Sequence, residues 1–170
     1  MKKVLQFSGL ISLVLAIVAF ILMMATNACI QSSGSVQVVT AGTTAIFGKT
    51  ESTILGDVVT KPSALALIGW ILMLVGMIIV LAGVVLPLLK INALEKFAGI
   101  LNLVALVCFV LGGIFMFLVA PTFWAANSDS DMPDNFKIGA GWVIGGIIAI
   151  VAGAFAILPA AAAFIGSKKK

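Results

Sequence analysis

Apolar residues run almost unbroken through four stretches of the chain, roughly 4–27, 63–89, 94–120 and 138–166. Each is long enough for an α-helix to cross ~30 Å of hydrocarbon, which takes ~20 apolar residues. No Asp, Glu, Lys or His lies deep inside any of them; the charges fall at span edges, in connections and at the chain ends. The pattern predicts an all-α membrane protein, a four-helix transmembrane bundle forming one membrane domain over residues 1–170. Between the first and second spans the pattern changes. Residues 35–61, "SVQVVTAGTTAIFGKTESTILGDVVTK", are Val- and Thr-rich runs broken by Gly42, Gly48 and Gly56. Short β-branched runs bounded by glycine predict strands, here near 35–40, 43–48 and 52–59. They would make a small extracellular β-sheet from the first outer loop, 28–62. The second outer loop, 121–137, is shorter and acidic, and a cytoplasmic turn at 90–93 joins the middle spans.

The spans echo one another. "GWILMLVGMIIVLAGVVLP" at 69–87 and "GWVIGGIIAIVAGAFAILP" at 141–159 share an opening Gly-Trp and a closing Leu-Pro at the same separation. "FSGLISLV" at 7–14 is echoed by "FAGILNLV" at 97–104. The first span therefore matches the third and the second matches the fourth, which reads as two tandem helix–loop–helix repeats in the same orientation. Proline near a span end, at Pro87 and Pro159, ends or kinks a helix. Small residues at Gly69, Gly76 and Gly83 on the second span allow close helix contact, as do Gly141, Gly145, Ala149, Gly153 and Ala156 on the fourth. Such contact counts for more in lipid, where burying Leu against Leu gains little.

Lysine placement sets the orientation. Lys2, Lys3, Lys90, Lys96 and Lys168–170 fall on one side, and Lys49, Lys61 and Lys137 on the other. Excess lysine marks the cytoplasmic face, so both termini are expected inside, with the chain a multi-pass protein of the plasma membrane. Trp70, Trp124 and Trp142 then fall near the outer ends of their spans, where an amphipathic indole serves as an interface anchor.

Composition removes most chemistries. Hydrophobic residues make up 62% of the 170 and charged ones 9%, far from the make-up of a water-soluble domain. His, Tyr and Arg are absent, so there is no imidazole base or ligand and no guanidinium clamp for phosphate. No enzyme, no cofactor and no nucleic-acid partner is expected. Asp129, Asp131 and Asp134 could offer oxygens to a cation but lack the longer pattern of a calcium loop, and read as a solvated turn. The two cysteines, Cys29 and Cys108, are about half the hydrocarbon thickness apart, too far for a disulfide. Cys108 reads as an apolar filler. Cys29 ends a stretch resembling a lipoprotein signal, although Thr26-Asn27 is a poor match to the small-apolar box that precedes an acylated cysteine. Asn102 is the most polar side chain within a span, and Ser12 holds the echoed position. They are expected to bond to each other, or Asn102 to a backbone carbonyl.

Four spans, both ends inside, a longer strand-rich first outer loop and a shorter second one resemble the claudin-like tetraspan proteins in layout. That family's first-loop signature, a Trp-Gly-Leu-Trp stretch with two cysteines, is absent: this loop holds no Trp and only Cys29. The layout implies work by contact, as scaffold, accessory subunit or self-assembling component. The lipid bilayer and another membrane protein, or a second copy, would be the partners. The alternative is a small channel or transporter subunit for a neutral or hydrophobic solute, lined by Asn102, Ser12 and the glycines.

Overall fold

The computed structural model describes residues 2–54, 56–86 and 92–167. Pro87, Lys90 and the first half of the expected turn at 90–93 lie outside the described residues, and residues 92 and 93 open a helix. Four long helices carry the fold: α1 (Lys2–Ala25), α3 (Ala64–Val85), α4 (Asn92–Phe117) and α6 (Ala140–Ser167). All four are long and apolar enough to cross a membrane. Their outward faces are apolar and mostly aliphatic where described, from Val14, Ile17 and Ile21 on α1 to Ile144, Ile147 and Val151 on α6. Helices apolar all round suit lipid and not water, and the chain is an integral membrane protein.

The inward faces obey a different rule. On α3 the buried residues are Ala66, Gly69, Met73, Gly76, Val80 and Gly83, spaced alternately three and four apart. That is the seam of helices packed at a shallow angle, with glycine at every seventh position. The α4 residues that face these glycines are Asn102, Cys108, Phe109, Gly112 and Phe115. Large meets small across this seam: a Cβ on Gly76 would lie 2.6 Å from the Phe109 ring, and one on Gly112 would lie 3.1 Å from Met73. α4 packs most closely on α6, where Gly113 and Gly146 face each other, a Cβ on either falling within about 3 Å of the other's carbonyl oxygen. Around the bundle the neighbours run α1, α3, α4, α6 and back to α1, with the α1–α3 seam the thinnest. α1 therefore stands diagonally opposite α4, the helix whose sequence echoes it. Pro159 lies within α6, which continues to Ser167.

The remaining elements cap one end. They are β1 (Asn27–Ser33), β2 (Val36–Ala41), α2 (Gly42–Phe47), β3 (Lys49–Thr53), β4 (Gly56–Thr60), α5 (Val119–Asn127) and β5 (Phe136–Ile138). The strand expected near 35–40 forms as β2. The one expected at 43–48 does not: residues 43–47 fall in helix α2 and Gly48 caps its end. Gly42, Ala45 and Ile46 are its buried residues, a helical i, i+3, i+4 set that a strand could not turn to one side. The run at 52–59 is also not one strand. It is the turn and flanks of an antiparallel hairpin pairing Lys49 with Thr60 and Thr53 with Gly56, and Gly56, at φ 119°, supplies a backbone that other residues rarely adopt. Nor does the sheet come from the first loop alone. Its order is β2-β1-β5, so the central strand begins straight after α1 and one edge comes from the loop before α6. The 121–137 segment is helical at its start: Leu118 breaks the backbone at φ −93°, ψ 5°, and α5 carries the chain on to Asn127.

Candidate interaction surface

The cap is held to the bundle around residues 26–28, where α1 gives way to β1. Three glycines close on this short segment. Gly42 donates its N–H to the Thr26 carbonyl at 2.9 Å and Gly139 donates to the Ala28 carbonyl at 2.8 Å. A Cβ on Gly42 would run into the Met23 carbonyl, one on Gly139 into the Asn27 carbonyl, and one on Gly141 into the Thr26 side chain. No other residue type allows such approach by backbone.

Side chains then join the two loops. Asn127, at the end of α5, accepts from the Lys61 N–H at 2.7 Å and donates to the Lys61 carbonyl at 2.9 Å, engaging that peptide position as a neighbouring strand would. Asn135 does likewise at Ser32, its backbone carbonyl accepting from the Ser32 N–H at 3.1 Å and its Nδ2 donating to the Ser32 carbonyl at 2.6 Å. Ser63 caps α3, its hydroxyl oxygen accepting from the Ala66 N–H at 3.3 Å. Ser63 and Thr122 hydroxyls lie 2.6 Å apart, and the Thr122 hydroxyl faces the Leu118 carbonyl at 2.9 Å. The chain is consistent in one direction: Ala66 donates to Ser63, Ser63 to Thr122, and Thr122 to a carbonyl of the α4–α5 break.

Beneath the cap lies a cluster of Met23, Cys29, Ile46, Met116, Phe123 and Trp142, with Trp70 and Trp124 packed against it. Phe123 and Phe136 stack with ring planes 5° apart. The three expected interface anchors differ. Trp124 donates its indole N–H to the Ser130 carbonyl at 2.7 Å. Trp70 is half-buried, set against Phe20 and Phe47. Trp142 has no exposed surface; the cap covers it, so its ring meets protein where a headgroup-facing indole was expected. Cys29 is also fully enclosed, and burial pushes its thiol up to about 12, which leaves it almost wholly protonated and a poor nucleophile.

Within the bundle, Ser12 and Asn102 do not bond to each other. The Ser12 hydroxyl donates to the Ala152 carbonyl at 2.7 Å, and the Asn102 Nδ2 donates to the Ala98 carbonyl at 2.8 Å. Asn102 Oδ1 is buried without a hydrogen-bond partner. The amide lies flat on Gly83, whose absent Cβ would sit 3.0 Å from it. Both side chains are enclosed between helices. Of the residues expected in helix packing, Gly69, Gly76, Gly83, Gly145, Ala149, Gly153 and Ala156 are buried and Gly141 is half-buried. Gly112, Gly113 and Gly146 belong with them, and the Gly-Gly pairs at 112–113 and 145–146 were the available signal.

The cap's far side is open. In β2 only Thr40 is partly buried; the rest of the strand, Val36, Val38 and Val39 included, is exposed. The β3–β4 hairpin exposes nearly every residue, Ile54 at its turn completely. Charges are unevenly placed. Residues 27–41, covering β1 and β2, contain none. The hairpin carries Lys49, Glu51 and Asp57, and the other sheet edge carries Lys137 behind the exposed Asp129, Asp131 and Asp134. Lys49 pairs with Glu51 and holds its carboxyl below the usual range. Among the described residues, no group of three or more His, Cys, Asp or Glu could hold a metal ion. No protein-family model and no curated protein matches this chain.

Proposed function

We propose that this integral membrane protein works by contact and not by catalysis, presenting its cap to another membrane protein or to a second copy of itself. One observation carries the reading: a cap fixed to the bundle by backbone and side-chain bonds from both loops, yet bearing exposed aliphatic side chains on its free strands. A surface ordered at that cost and left apolar suits recognition. The lysine bias supports an orientation with the termini cytoplasmic and the cap outside the cell. The repeat reading draws support from the diagonal placement of α1 against α4 and of α3 against α6. Compensating sizes at echoed positions point the same way: Met73 faces Gly112 and Gly145 faces Leu22, positions that correspond under the offsets of 72 and 90. The claudin-like layout is carried over as architecture only.

The test is extraction of the full chain into lipid nanodiscs without prior detergent, followed by measurement of what accompanies it and in what ratio. A fixed stoichiometry with itself or with one membrane partner is expected. A lone monomer across all lipid compositions overturns the reading. Orientation is tested separately, by labelling Lys49 and Lys137 on intact cells with an impermeant amine reagent; only the cap lysines should react.

A further inference from the structure

We infer that β2 is a self-pairing seam, through which two copies in one membrane join their three-stranded sheets antiparallel, edge to edge. The inference rests on the contact reading above and names its partner. The two edges of the sheet are not alike. β5 is three residues long and carries Lys137, and a short, charged edge is how proteins discourage strand addition. β2 has six residues, Val-Gln-Val-Val-Thr-Ala, with no charge and no proline, and one side hydrogen-bonded to β1 while the other meets no strand among the described residues. At ~3.3 Å per residue, about 20 Å of backbone donors and acceptors stands open.

The chemistry of the edge selects a second copy. Antiparallel pairing of β2 with itself is two-fold symmetric, so each copy offers the same residues to the other. With the axis through Val38, Val38 lies opposite the other copy's Val38 and Gln37 opposite its Val39, with no charge set against a charge. The β3–β4 hairpin is a poorer seam, since Lys49, Glu51 and Asp57 would have to be matched in a partner. A bilayer also holds every copy the same way up and at the same depth, so the edge meets its own kind at matching height, a confinement that raises effective concentration.

The experiment uses the full chain in liposomes, with cysteine at Val38 and a bis-maleimide spanning roughly the distance between paired strands. Wild-type protein is the blank for the two enclosed cysteines. Val38→Cys should give a crosslinked dimer that persists as lipid is added in excess, and Val58→Cys, equally exposed on the hairpin, should give several-fold less. A Val38→Lys change introduced with Val39→Cys should lower the dimer at least about tenfold, and Val38→Thr should retain it. Equal crosslinking at Val38 and Val58, or indifference to Val38→Lys, overturns the seam. If β2 stays uncrosslinked while the nanodisc measurement still shows a fixed oligomer or partner, the seam fails and the contact reading survives. A lone monomer in both assays removes both.

Discussion

The bundle and the cap are held together by different means. Between the helices, contact is made by missing atoms: glycine after glycine lets a ring, a thioether or another backbone come close, and side-chain hydrogen bonds are few. In the cap, polar side chains reach across from one loop to the other and engage backbone groups directly. The difference follows from the solvent. Lipid gives apolar side chains no reason to leave it, so helices gain mainly from tight packing. Loops beyond the hydrocarbon must satisfy backbone donors and acceptors that no helix ladder uses. The contrast teaches where each half is vulnerable: the bundle to added volume, the cap to lost partners.

The sharpest break of that contrast is Gly113→Val. Its side chain would push on the Gly146 carbonyl and the Ile150 and Ala149 side chains, and overpacking of this kind costs about 1–3 kcal/mol. Unfolding in mixed micelles should show the loss, with the same substitution at exposed Gly34 costing much less through packing. Next comes Asn127→Ala, which strips both bonds from Lys61 and should cost about 1–2 kcal/mol. Hydrogen exchange should speed at Lys61 while the spans stay protected; protection lost throughout would mean that the two halves are not separable. Thr122→Val, removing the hydroxyl between Ser63 and the Leu118 carbonyl, should cost about 1 kcal/mol and loosen the start of α3. Cys29 should resist maleimide at pH 8, because its folded thiol is raised to about 12; labelling as fast as an unfolded thiol would place it outside the core. The smallest effect is at Glu51. Its carboxyl titrates below the usual range because Lys49 favours the charged form, so this local tie is present at neutral pH and disappears as pH falls through the lowered value. Lys49→Met should return the Glu51 titration to the ordinary range by NMR.

Much of the bundle was legible in the sequence because length and apolarity alone define a lipid-crossing helix. The spans needed no knowledge of what each helix touches. The cap was less legible because its elements are short and decided by distant partners. Residues 43–48 have strand-like composition, yet Ala45 and Ile46 are drawn together onto the bundle and the segment coils. β1 begins at Asn27, where the apolar run of the first span still masks it, and β5 is three residues whose only claim to be a strand is β1 beside it. Trp142 looked like a headgroup anchor because its distance from the span end was right. Nothing local reveals that Gly139 and Gly141 bring the cap down over it. Asn127 and Asn135 carried no signal either, since a loop asparagine is unremarkable until the backbone opposite it is known.

One more consequence concerns the order in which the molecule is built. α6 follows the other three spans in the chain, yet it supplies the partner surface for both α4 and α1, including the carbonyl that the Ser12 hydroxyl needs. Until α6 is made, α4 and α1 lack that surface, and β1 lacks the strand that β5 provides. Helix ring and cap thus both lack a member until residues 136–167 have been added.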